Sequence, residues 1–64
     1  MTDNAIKEHL NALIPQLEQM RNTLDAMFDK AEDSKLREST NEAFFRTESL
    51  LEFIKFITEQ NSTR

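Results

Sequence analysis

The 64-residue sequence predicts an all-α fold, an antiparallel two-helix hairpin that we expect to dimerise into a four-helix bundle. Glycine is absent and Pro15 is the only proline, whereas strand-rich proteins need glycine for positive-φ turns and bulges. Apolar residues recur at alternating spacings of four and three in both halves of the chain, which is the heptad pattern of packed helices. The two halves are out of register by two residues, so the chain is expected to turn between them.

The first helix is predicted over residues 4–31 of a single domain that spans residues 1–64. Its start can be capped by Thr2, Asp3 or Asn4, because such side chains accept hydrogen bonds from the amides of the first turn. Two further apolar residues, Ile14 and Phe28, widen the stripe formed by its heptad positions. Those heptad positions are Ile6, Leu10, Leu13, Leu17, Met20, Leu24, Met27 and Ala31.

Pro15 lies in the middle of this heptad run. Proline inside a helix removes one backbone hydrogen bond and clashes with the carbonyl four residues earlier, here that of Asn11, at a cost of about 3 kcal/mol. The heptad phase is the same on both sides of Pro15, so we predict one helix that is kinked there and bends around its packing partner. Two shorter helices, over residues 3–13 and 15–31, are the alternative.

A turn is predicted at residues 32–34, followed by a second helix over residues 35–60 and a polar tail, 61–64, that is expected to fray. Asp33 or Ser34 can cap the second helix. The similar lengths of the two helices and the short connection between them favour antiparallel packing.

The apolar surface of the second helix is wider than one neighbouring helix can cover. Its heptad positions are Leu36, Thr40, Ala43, Thr47, Leu50, Ile54 and Ile57, unless a capping box at Ser39 and Glu42 makes the helix start later. On a helical wheel the apolar residues span about 180°. A second copy of the chain supplies two more helices most simply, although a larger hetero-partner would serve as well. The residues predicted to form the dimer core are Leu10, Leu13, Leu17, Leu24, Leu50, Ile54 and Ile57.

Four phenylalanines of the second helix are predicted to contact a protein partner: Phe44, Phe45, Phe53 and Phe56. Phenylalanine buries a large apolar area and loses little rotamer entropy, as interface anchors do. Phe45 and Phe56 fall outside the apolar arc, three turns apart on what should be the solvated back of the helix. These two rings form either a partner site or a contact within the oligomer.

Candidate chemistry is sparse. His9 is the only histidine, and Ile6 and Leu13 occupy the positions at helical spacing from which a metal ligand or a catalytic partner would have to come. Cysteine is absent, which excludes disulfides and thiolate metal sites. Without glycine, the chain has no loop of the kind that cradles phosphate. We therefore predict a protein that is not an enzyme and that uses no metal or cofactor.

The charges point away from nucleic acid and from membranes. A net charge of −4 disfavours binding to phosphate backbones, and the polar faces are too acidic for adsorption to a lipid surface. Glu18 with Arg21 and Glu42 with Arg46 are expected to pair along their helices. The basic residues of the second helix do not form one stripe. These residues are Lys35, Arg37, Arg46 and Lys55.

Together, these features predict a small cytoplasmic protein–protein interaction module, a regulatory or accessory homodimer that binds another protein through its helical faces. The sequence does not specify that partner. The cytoplasm is expected because cysteine and any run of about 18 apolar residues are lacking. Two alternatives remain at this point: a helical bundle that binds RNA or DNA, and a secretion-type chaperone that is stable only in a heterocomplex.

Overall fold

The computed structural model describes the backbone of residues 2–62 and the side chains of residues 2–60. Helix α1 spans Asp3–Lys30 and helix α2 spans Ser34–Ser62, and this part of the chain contains no strand. The helices pack against each other as an antiparallel hairpin, a rod measuring 47 × 16 × 15 Å. Of the predicted tail, residues 61 and 62 belong to α2, whereas Thr63 and Arg64 lie outside the described residues.

The start of α1 is capped by the residue that immediately precedes it. The Ala5 amide donates a hydrogen bond of 3.2 Å to the Thr2 hydroxyl, which satisfies one of the amides left free at a helix start. Asp3 in the first turn and Lys30 in the last both have the sign of charge that the helix dipole favours. The helix runs through Pro15 without interruption, so the alternative of two shorter helices is wrong.

The turn between the helices is held by Asp33 and Arg37. The Asp33 carboxylate accepts a hydrogen bond of 2.9 Å from the Leu36 amide and so caps α2, which begins at Ser34 and not at the later capping box. The Arg37 guanidinium donates to the Ala31 carbonyl at 3.2 Å and lies 4.4 Å from the centre of the Phe28 ring. Because the side chains satisfy the helix ends, the turn needs no glycine, and no described residue has a positive φ.

The core of the hairpin is small. Leu17, Leu51 and Ile54 are its buried apolar residues, with Leu10 and Ile14 packed against them. Three further positions that face α1 are threonines, all of them buried: Thr40, Thr47 and Thr58. The Thr58 hydroxyl donates a hydrogen bond of 3.0 Å to the Lys55 carbonyl of the same helix. Threonine contributes less apolar burial than leucine would, so one hairpin has little hydrophobic stabilisation of its own.

Candidate protein-interaction surface

Each helix carries a second apolar line in addition to the one that faces its neighbour. In α1, Leu17 is buried, while a line of residues spaced seven apart is turned partly to solvent with exposed fractions of 39–52%. This line consists of Ile6, Leu13, Met20 and Met27. In α2 the corresponding line contains Leu36 and Leu50, both exposed, together with the half-buried Ala43 and Ile57.

Helical geometry brings the two lines to one face of the hairpin. At about 100° per residue, each line is displaced by roughly 70° from the inward-facing side of its helix, in the same rotational sense. Two antiparallel helices are related by a two-fold axis normal to the plane that contains them. This rotation leaves the two faces of the hairpin in place, so lines displaced in the same sense lie on the same face. Ile6 of α1 and Ile57 of α2 line one shallow concavity, in agreement with this placement. We call this surface the open face; it consists of Ile6, Leu13, Met20, Met27, Leu36, Leu50 and Ile57.

Ion pairs cross between the helices on the opposite side, which we call the closed face. Lys55 lies 3.6 Å from the Glu18 carboxylate, and Arg21 lies 4.0 Å from that of Glu48. The expected pairing of Glu18 with Arg21 along α1 is therefore wrong, because α2 offers each side chain an opposite charge across the interface. The predicted pair of Glu42 with Arg46 is present along α2.

The same helical phases separate the charges between the two faces. Between residues 4 and 60, Glu42 is the one carboxylate of α1 and α2 that lies within the open-face half of its helix, at the outer edge, where it pairs with Arg46. The cations of that half are Lys30 and Lys35, both near the turn, and Arg46, which lies near the middle of the rod and pairs with Glu42. The closed-face half holds the carboxylates of Glu8, Glu18, Asp25, Asp29, Glu38, Glu48, Glu52 and Glu59. The hairpin is thus acidic on one side, and apolar with a few cations on the other.

The residues predicted for the dimer core are divided between two surfaces. Leu17 and Ile54 are buried within the hairpin, and Leu10 and Leu24 are half-buried along the same contact. Leu13 and Leu50 are exposed on the open face, with the half-buried Ile57 beside them. Four residues of the open face were absent from the predicted core, although their seven-residue spacing is visible in the sequence: Ile6, Met20, Met27 and Leu36.

The predicted partner-contacting phenylalanines also occupy different environments. Phe44 is half-buried and packs edge-on against the ring of Phe45, with the ring centres 5.5 Å apart. Phe45, Phe53 and Phe56 are exposed, with fractions of 55–58%. By helical phase, Phe53 lies at the outer edge of the open face, whereas Phe45 and Phe56 lie on the back of α2 towards the closed face.

Phe45 and Phe56 share the back of α2 with carboxylates. Glu38, Phe45, Glu52 and Glu59 follow one another at intervals of seven residues, and Phe56 lies between the last two. All five side chains are exposed. We call this surface the aromatic–acidic stripe.

The other sequence features add no site. His9 is exposed, and the described residues contain no group of three side chains that could hold a metal ion. Neither of the described helices is long and apolar enough to cross a membrane. Comparisons of the chain with protein-family models, with curated protein sequences and with solved structures found no match.

Proposed function

We propose that this chain is a small non-enzymatic protein–protein interaction module. It dimerises through the open face into a four-helix bundle and acts as a regulatory or accessory protein by binding a protein partner. The lack of cysteine supports a reducing compartment such as the cytoplasm as its place of action. The observation that carries this proposal is the amount of apolar surface that one hairpin leaves uncovered.

The hairpin exposes a larger surface area than a compact chain of the same mass would. It exposes 5136 Å², whereas a compact monomer of 7.5 kDa is expected to expose about 4,250 Å². The excess of roughly 900 Å² is close to the ~800 Å² that each partner buries in a standard protein interface. The radius of gyration, 14.7 Å, also exceeds the ~10.7 Å expected for a globule of this length. One further contact of ordinary size would therefore bring the chain to normal compactness.

A second copy of the chain fits the open face in shape and in charge. Two flat faces with apolar side chains at heptad spacing can interdigitate as the layers of a four-helix bundle. The one carboxylate in this half of the helices, Glu42, lies at its outer edge and is paired with Arg46, so two open faces would meet without repulsion between buried acids. Salt would have little effect on such an interface, unlike the steep salt dependence of nucleic-acid binding.

The cations beside the open face favour an antiparallel arrangement of the two hairpins. Lys30 and Lys35 lie near the turn, whereas Arg46 is paired with Glu42, so a parallel dimer would bring both sets of lysines to the same end of the bundle. An antiparallel dimer would separate the two sets by much of the 47 Å length of the rod. That separation is several times the Debye length of about 8 Å at physiological salt, so the repulsion would be screened.

A bend of α1 at Pro15 would suit this assembly. Proline removes a backbone hydrogen bond on the outer side of α1, and a bend there would curve the helix around its packing partners. We expect Pro15→Ala to straighten α1 and to raise the free energy of unfolding by about 1–3 kcal/mol. Denaturant titration followed by circular dichroism measures this change, with Gln16→Ala as the matched control at the neighbouring exposed position. A loss of stability in Pro15→Ala would contradict this expectation and would show that the packing of α1 requires the proline.

Sedimentation equilibrium of the intact chain tests the dimer directly. We expect a species of about 15 kDa, twice the chain mass of 7.5 kDa, at micromolar concentration. The melting temperature should rise with protein concentration, because association stabilises the folded state by mass action. A compact monomer that shows no association would contradict the proposal. A chain that stays unfolded when concentrated would favour a chaperone that folds only in a heterocomplex.

A further inference from the structure

We infer that the aromatic–acidic stripe on the back of α2 is the docking site for a basic, amphipathic helical segment of another protein. This inference rests on the proposed function, because a second copy on the open face would leave this stripe as the main exposed apolar feature of the bundle. The stripe consists of Phe45 and Phe56 with Glu38, Glu52 and Glu59, as defined above.

The two rings are spaced as anchors for a helix. Phe45 and Phe56 are eleven residues apart, which corresponds to about 16 Å along α2. Each ring is more than half exposed, so burying the pair would remove a substantial apolar area from water. An apolar face with side chains at positions i, i+4, i+7 and i+11 covers the same length, as in other cases where a helix binds to a helical surface.

The charges around the rings favour a partner segment that is positively charged. Glu38, Glu52 and Glu59 surround the rings, and the cations near them are already engaged within the hairpin. Arg46, which lines one concavity with Phe45 and Glu38, pairs with Glu42. Lys55 pairs with Glu18, and Arg37 contacts the Phe28 ring and the Ala31 carbonyl. Lysine or arginine beside the apolar positions of a partner helix would therefore meet carboxylates on both sides of the rings. Complementary charge of this kind speeds association and excludes partners of the wrong sign.

The same charges disfavour other classes of ligand. Nucleic acid and anionic lipid would both be repelled by the carboxylates of the stripe, and the acids of the closed face of α1 would add to that repulsion. Among the described residues, most cations of a second copy either contact groups of their own hairpin, as Arg21, Arg37 and Lys55 do, or lie on the side of its own open face, as Lys30, Lys35 and Arg46 do. A basic segment from a different protein is the occupant that this surface fits.

The test uses fluorescently labelled synthetic peptides of about 15 residues, made of leucine and lysine, and measures binding to the intact chain by anisotropy. One peptide places leucine on a single helical face, and a second has the same composition in scrambled order. We expect the amphipathic peptide to bind at least tenfold more tightly than the scrambled one. Phe45→Gln combined with Phe56→Gln should weaken binding of the amphipathic peptide by at least tenfold.

Two double variants distinguish binding at the stripe from a general attraction of the cationic peptide to an acidic protein. Glu38→Gln with Glu52→Gln should weaken binding roughly threefold to tenfold. Asp25→Asn with Asp29→Asn changes the net charge by the same amount on α1 and should alter binding less than about twofold. Equal losses in the two pairs would overturn the inference, as would equal binding of the scrambled peptide or no binding of the amphipathic one.

A last variant distinguishes failure of the stripe from failure of the proposed dimer. Met20→Glu on the open face should leave peptide binding unchanged if the peptide docks on the stripe. Loss of peptide binding in Met20→Glu, with binding retained in the phenylalanine variant, would place the peptide on the open face and overturn the inference. The proposed dimer is judged separately by sedimentation of the unmodified chain without peptide.

Discussion

Leu51→Ala is expected to unfold the hairpin or to lower its melting temperature by at least about 10 °C. Leu51 is 0% exposed and contacts the two other members of the apolar core, Leu17 and Ile54. Removing a buried leucine side chain to its first carbon costs about 2–5 kcal/mol, and the rest of this core is too small to close the cavity. Domains of this size rarely have more than ~3–5 kcal/mol of stability from a single core. Thermal melts followed by circular dichroism measure the effect.

Leu51→Met serves as the control at the same position. Methionine has a similar volume and a similar helix propensity, so this variant should cost less than about 1.5 kcal/mol. If Leu51→Ala melted within a few degrees of the unmodified chain, Leu51 could not be the centre of the core, and the helices would have to pack through another face.

Local signals in the sequence were enough to predict the two helices and how they are joined. Caps act within one turn of a helix, so the sequence limited the candidates to Thr2, Asp3 or Asn4 and to Asp33 or Ser34, and the structure uses Thr2 and Asp33. The register shift between the two heptad runs predicted the reversal of the chain. The uninterrupted phase across Pro15 predicted a continuous helix, which α1 is.

The rotation of each helix about its axis could not be predicted in the same way. Both helices have apolar stripes wide enough for two contacts, and the sequence does not say which part faces the other helix. The predicted heptad positions include Leu50 and not Leu51, whereas Leu51 is 0% exposed and Leu50 is 48% exposed. For the same reason the sequence did not identify the open face. Which apolar line of each helix stays exposed depends on which line packs against the other helix. The same ambiguity also led to the wrong ion pair for Glu18, whose partner Lys55 belongs to the other helix.

Met20→Glu is expected to weaken dimerisation by at least about 100-fold, or roughly 2.7 kcal/mol. Met20 is 52% exposed in the single hairpin, so a glutamate there remains solvated and the hairpin itself should still fold. In the proposed dimer the same side chain would be covered, and each buried carboxylate would cost several kcal/mol without a partner. Met20 lies near the middle of the rod, so an antiparallel dimer would also bring the two new carboxylates close together.

Asn22→Glu is the matched control for this variant. Asn22 is an exposed residue of α1 two positions away, on the closed-face side, and its replacement adds the same single negative charge. Sedimentation equilibrium should give a dimer for Asn22→Glu and a folded monomer for Met20→Glu, with helical circular dichroism in both.

Dimerisation that survived in Met20→Glu would show that the chains associate through another surface, and the back of α2 would then have to be considered as the contact. A loss of association common to both variants would instead point to general charge repulsion between acidic chains. Only a difference between the two variants assigns the dimer contact to the open face, because they differ in which side of α1 carries the new charge.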